Sequence, residues 1–166
     1  ATLVCATNPV SASSGVVTFG GCKVDKTGSY TLTAAASGLT SGTSASVTIT
    51  AGPAATLVFT AAPPTGSASS NANIGPFTIQ VQDAAGNPAV SSGSTSVSLS
   101  AATSGSGSAS FATTSGAAGS ATLVLVIPAG TSASSFYFGW SKANRSPVIT
   151  ATSGSLSNGT TTVTVN

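Results

Sequence analysis

The sequence contains no histidine and no methionine, a single tryptophan, and two acidic residues, Asp25 and Asp83. Without histidine, neither a Ser-His-Asp nor a Cys-His nucleophile can be assembled, and the usual zinc ligand is missing. The two carboxylates stand far apart in the chain, so a paired general acid and base is not expected. Charged residues make up 4% of the chain, against about 25% in an ordinary soluble domain. The cations Lys23, Lys26, Lys142 and Arg145 form no cluster, which argues against a nucleic-acid partner despite a pI near 8.8. No apolar run reaches the roughly 18 residues a membrane helix needs, so membrane insertion is not expected. No signal-peptide pattern stands at Ala1, and the chain reads as a mature fragment or as a segment of a longer polypeptide. Nothing here points to an enzyme, a metal or a cofactor.

What the chain does have is small residues. Ala, Ser, Thr and Gly together account for about three-fifths of it, a strong departure from average usage. Disorder would require low hydrophobicity or high net charge. Mean hydropathy is instead +0.40, and the apolar residues sit in short alternating runs. This is the pattern of a lean, folded β protein.

The most informative stretch is Tyr30 to Thr50, YTLTAAASGLTSGTSASVTIT, which returns as PVITATSGSLSNGTTTVTVN from Pro147 to Asn166. Leu32, Ala34, Leu39, Gly42 and Thr43 match Ile149, Ala151, Leu156, Gly159 and Thr160 at one constant offset. A single-residue deletion then brings Val47 and Ile49 onto Val163 and Val165. Each copy reads as two alternating strands around a Gly-containing turn, a closing β-hairpin. Repetition of this kind indicates modules of one fold.

Ala51-Gly52-Pro53 ends the first pattern and marks a boundary, giving units 1–52 and 53–166. In the first, strands are expected near Thr2–Thr7, Val16–Phe19, Ser29–Ala35 and Ser44–Thr50. In the second they are expected at Ala55–Ala61, Pro76–Asp83, Thr95–Ala101, Ser108–Ala112, Ala121–Ile127, Ser135–Trp140, Val148–Thr152 and Thr160–Val165. Phe77, Ile79 and Val81 alternate with Thr78, Gln80 and Gln82, which should face solvent. Leu123 to Ile127 is continuously apolar, as a central strand would be. No segment has helical periodicity, and short strands at this spacing indicate a two-sheet sandwich. Phe19 aligns with Phe136 at the hairpin offset, so the first unit corresponds to the closing part of a module only.

The segments AATLVFTAAPP, FTIQVQDAAGNP and GVVTF followed by DKTGSYTLTAAASGLTSGTSASVTITAG resemble bacterial immunoglobulin-like repeats. Such repeats occur in tandem in large secreted or surface-anchored proteins, including the stalks of invasin-type adhesins. IPAGTSASSFYFGWSKANRSPVITATSG resembles a second version of the same repeat. The resemblance implies an all-β architecture of immunoglobulin-like β-sandwich modules in tandem, the first one incomplete. It also implies a spacer or fibre role, and brings no catalytic residue with it.

Candidate sites are few. Cys5 and Cys22, the only cysteines, both lie in the first unit. An even count in a Ser/Thr-rich chain suggests a disulfide formed in an oxidising compartment, the alternative being two buried thiols. Asp83 with Asn87 could contribute oxygens to calcium, though an Asx-turn accounts for the pair more simply. Lys142 with Asn144, or Gln80 and Gln82 with Asp83, are the conceivable internal crosslinks, but that chemistry needs a buried nucleophile. Phe136, Phe138 and Trp140 share one strand face, with Tyr137 on the other. Trp140 and Tyr137 are thus the candidate glycan contacts, against a core role for the aromatic row. Asn144-Arg-Ser and Asn158-Gly-Thr fit a glycosylation sequon, and Asn158-Gly159 also fits a hairpin turn.

The expected function is a structural segment of an extracellular fibre, filament or cell-surface stalk. Its strands would be completed by upstream chain or by a neighbouring subunit. Expected partners are neighbouring copies of the same repeat, through self-association. The alternative is a glycan-binding adhesin module with surface glycans as partners.

Overall fold

A computed structural model describes residues 1–61, 65–102 and 105–166. The Pro-Pro pair of the AATLVFTAAPP segment therefore lies outside the described residues. Among those described, every regular element is a β-strand. Internal contacts divide the chain into two units, Ala1–Gly52 and Pro53–Asn166.

The first unit holds six short strands: β1 (Leu3–Val4), β2 (Lys23–Val24), β3 (Gly28–Tyr30), β4 (Thr33–Ala34), β5 (Gly42–Thr43) and β6 (Val47–Ile49). They pair only two by two, as β1 with β2, β3 with β6 and β4 with β5. The expected strand at Val16–Phe19 does not form. A single bridge between Ser13 and Val16 is all the pairing there, because no neighbouring strand runs beside this stretch.

The second unit contains β7 (Ala54–Phe59), β8 (Asn71–Ala72), β9 (Ile74–Asp83), β10 (Thr95–Ala102), β11 (Ala109–Ala112), β12 (Ala117–Ala118), β13 (Leu123–Ile127), β14 (Ala133–Trp140), β15 (Val148–Thr152) and β16 (Gly159–Thr162). Two four-stranded antiparallel sheets dominate it, ordered β11-β14-β9-β7 and β13-β10-β15-β16. Period-two burial explains the arrangement. Phe77, Ile79 and Val81 of β9, Val97 and Leu99 of β10, and Ile149 and Ala151 of β15 are all buried, with Phe111, Phe136 and Phe138 between them. Phe77 stacks on Phe136 at 5.2 Å between centroids, and Phe111 meets Phe138 at 5.0 Å. The unit is an all-β sandwich around an aromatic centre.

Thr78, Gln80 and Gln82 alternate with the buried positions of β9 as expected and are half-buried on its other face, where the Gln82 amide donates to the Gln80 side-chain oxygen at 2.8 Å. Two further expectations need correction. The apolar run of β13 forms an edge strand, not a central one. Among the described residues it pairs with β10 alone, and Leu125 and Ile127 point inward while Val124 and Val126 are exposed. Finally, Asn158-Gly159 is not the hairpin turn. The turn is Ser153 to Leu156, closed by a Leu156 N–H to Ser153 O bond at 3.0 Å with Gly154 at φ 48°. Gly159 instead begins β16 against the Leu57 carbonyl, where a side chain has no room.

Phe136 is fully buried among Phe59, Phe77 and Phe111. Phe136→Ala should therefore cost about 3–5 kcal/mol, read as a lowered denaturation midpoint of the second unit. A loss below ~1 kcal/mol would contradict the aromatic centre described here.

Candidate functional site: an open apolar cleft in the first unit

Cys5 and Cys22 form a disulfide, with a Cα–Cα distance of 3.9 Å. The ladder of β1 on β2 matches Leu3 with Val24 and Val4 with Lys23. One step further along the same register brings Cys5 opposite Cys22, so pairing places the two sulfurs together. Beside it, the Asp25 carboxylate accepts the Thr2 N–H at 2.7 Å. That bond is the main reason its pKa lies below the ordinary value. A carboxylate with a depressed folded pKa stabilises above its unfolded pKa, and the contribution is lost as pH falls through the depressed value.

The repeated hairpin can now be compared pair by pair. In the second unit Thr150 pairs with Thr160 and Ala151 with Gly159, and Arg145 bridges Val165. At the same offset in the first unit, Thr33 pairs with Thr43, Ala34 with Gly42, and Gly28 with Ile49. Every pair coincides once the extra residue between Thr43 and Val47 is allowed for. That residue makes a bulge at 44–46, where the Leu32 N–H takes the Ser44 hydroxyl as acceptor at 2.9 Å while Ser44 N–H donates to Leu32 O.

The surroundings differ sharply. Ile149, Ala151, Val163 and Val165 are fully buried, whereas their counterparts Leu32 and Val47 are 37% and 42% exposed and Ile49 is half-buried. Phe19 is 43% exposed where Phe136 is 0%. In the second unit β10 runs along the outer edge of β15, and the sheet containing β9 and β14 supplies the facing layer. The first unit has neither. What remains is a cleft of about 390 Å³ lined by Leu3, Phe19, Cys22, Leu32, Ala34 and Thr43 among others, with no charged side chain on its walls. The sequence alignment set Phe19, Leu32, Val47 and Ile49 against residues now seen to be buried, and strands completed from outside were expected. Leu3 was not expected in the cleft.

The other candidates take structural places. Trp140 is buried against Phe138 at 6.2 Å, so its ring offers no face to a sugar. Tyr137, on the opposite face of β14, is half-buried. Asp83 is buried at the end of β9, and its Oδ1 accepts the N–H groups of Ala85 and Asn87 at 2.9 and 2.8 Å. The Asn87 amide donates to Oδ2 at 3.0 Å, and Gly86 takes φ 77° between them. This is an Asx-turn whose carboxylate is already engaged by donors. Lys142 and Asn144 are exposed, which removes the desolvation a crosslinking lysine requires. Asn144 and Asn158, the two sequon positions, are both exposed. Among the described residues no group of three His, Cys, Asp or Glu side chains comes together.

No family model matches the chain, and no curated protein matches it.

The Trp140 indole N–H is buried with no acceptor among the described residues, so Trp140→Phe should cost less than ~1.5 kcal/mol. Gly107→Ala should cost more, because a Cβ there would collide with the indole and the backbone holds φ 137°. Urea denaturation of both variants checks the order. The reverse order would mean that the indole is held by a hydrogen bond rather than by packing.

Proposed function

We propose that the chain is a structural segment of an extracellular fibre, filament or surface stalk built from immunoglobulin-like β-sandwich modules in tandem, of which the first is incomplete here. The observation that carries this reading is the pairing register shared by the two hairpins, combined with opposite burial of their matched residues. One hairpin sits in a finished sandwich. The other has the same strands and lacks the neighbours that would bury them.

Completion comes from strands supplied by upstream chain or by a neighbouring subunit. Addition from a neighbour is head-to-tail and heterologous, which propagates as an open fibre. The Cys5–Cys22 disulfide fits an oxidising, extracellular setting. The low charge of the chain lets modules pack without desolvating ions. A glycan-binding role draws no support from Trp140, which is in the core.

Two measurements test the proposal. Negative-stain images of native material should show periodic fibres or extended stalks, and isolated globules with glycan-array signal would refute it. Expressed separately, Pro53 to Asn166 should melt cooperatively as a monomer and Ala1 to Gly52 should not. A fragment of about fifty residues with its apolar side chains exposed buries too little surface, even with a disulfide. A cooperative monomeric melt of Ala1 to Gly52 would remove the incomplete-module argument.

A further inference from the structure

The cleft has a backbone edge along one side, and its polarity can be worked out. In an antiparallel ladder, successive residues direct their N–H and C=O groups to opposite sides of the strand. Leu32 directs both of its groups toward Ser44. Tyr30 and Ala34 share that direction, so Thr31, Thr33 and Ala35 direct theirs outward. Their counterparts in the second unit are Val148, Thr150 and Thr152, and these face β10 in the register Val148 with Ala102, Thr150 with Ser100 and Thr152 with Ser98.

We propose that this edge and the cleft beside it form an acceptor site for one extended, uncharged strand of the β10 type, donated by another module of the same kind. The inference rests on the reading of the first unit as an incomplete sandwich, and it adds the site, the direction and the register. Transferring the β10–β15 register through the hairpin equivalence sets a position like Ala102 opposite Thr31, Ser100 opposite Thr33 and Ser98 opposite Ala35. The alternate positions, occupied by Leu99 and Ala101 in β10, then stand opposite Ala34 and Leu32. In β10 itself Val97 and Leu99 are buried while Ser96, Ser98 and Ser100 are exposed. The occupant therefore carries branched apolar residues at every second position, turned into the cleft, and small hydroxyl residues turned outward. Main-chain hydrogen bonds to Thr31 and Thr33 supply affinity, and the alternating pockets supply register. The absence of charge on the cleft walls disfavours a charged strand, whose ions would be desolvated without partners.

The probe is a synthetic peptide with the sequence of Thr95 to Ala102, TSVSLSAA, added to the full chain. Amide exchange at Thr31 and Thr33 should slow by about tenfold or more at saturation, with Leu32 and Phe19 resonances shifting. Two peptides should fail: one with each apolar residue exchanged with its serine neighbour, and one N-methylated at the Ser100 amide, which faces Thr33 in the inferred register. Equal protection by the exchanged or N-methylated peptide would reduce the site to nonspecific apolar adhesion and overturn the proposal. So would protection appearing at Val124 and Val126 instead of Thr31 and Thr33. Protection of Thr31 and Thr33 in the chain alone, lost on dilution and accompanied by protection of Val124 and Val126, would make the occupant the β13 edge of a second copy and would also overturn it. In the protein, Thr33→Pro removes the outward N–H while the β4–β5 bonds through Leu32 and Ala34 remain. It should abolish peptide binding with an unchanged circular dichroism spectrum. Native fibres with no specific peptide binding would sink the acceptor site and leave the proposed function standing. Specific binding without fibres or stalks would do the reverse.

Discussion

A β-hairpin has two needs that it cannot meet itself: a strand along its outer edge and a layer over its apolar face. The hairpin of β15 and β16 has both, from β10 and from the sheet containing β9 and β14. The hairpin of β3 to β6 has the same internal pairing and neither neighbour. Each of its apolar residues that is fully covered in the second unit is open in the first to some degree. Backbone pairing within the hairpin is thus independent of completion, and side-chain burial is not. One unit is a closed sandwich, while the other keeps the hairpin pairing with its apolar face open.

The two units are stabilised by different means. Five of the six phenylalanines, and the tryptophan, belong to the second unit, where they form one continuous cluster from Phe59 through Phe136, Phe77, Phe111 and Phe138 to Trp140. Each such ring buries roughly 150–250 Å², and small Ala, Ser and Thr residues around them cost little side-chain entropy to order. The first unit has Phe19 and Tyr30 alone and carries the disulfide instead. A crosslink at this loop length stabilises by about 3 kcal/mol, mainly by restricting the unfolded chain. It holds β1 and β2 in register without filling the space above them.

Most of the strand pattern was legible because period-two alternation and glycine-containing turns are local signals. The hairpin repeat was legible for the same reason, down to the residue whose insertion becomes the bulge at Ser44. What local pattern could not provide was the neighbour of each strand. Leu123 to Ile127 has the composition of a central strand, yet β13 lies at an edge because only β10 runs beside it. Val16 to Phe19 has strand composition and no strand beside it at all. Asn158-Gly159 is a turn dipeptide by composition, but the closure of Gly154 and Leu156 moves the turn upstream and leaves Gly159 to meet the Leu57 backbone. For the cleft, sequence alignment identified Phe19 and Leu32 but not Leu3, and the direction of the free amides required the pairing register.

Edges also explain the composition. Soluble β proteins protect open strands with charges, particularly lysine, with proline, or with bulges. The β13 edge has none of these: Leu123, Val124, Leu125, Val126 and Ile127 are all apolar, and the exposed pair is Val124 and Val126. Nor does any charged residue fall within Ser29 to Ala35, the free edge of the first unit. The charges that exist are confined to turns and strand ends, at Lys23 to Lys26, Asp83 and Lys142 to Arg145. A chain selected to stay solitary would bear a cost from two such edges, and one charge in each would relieve it. A chain whose strands are meant to be continued by other strands needs those edges bare, since an ion there would have to be desolvated on every junction. On the proposed fibre reading, the scarcity of charge across the chain and the open edges in the fold follow from one constraint.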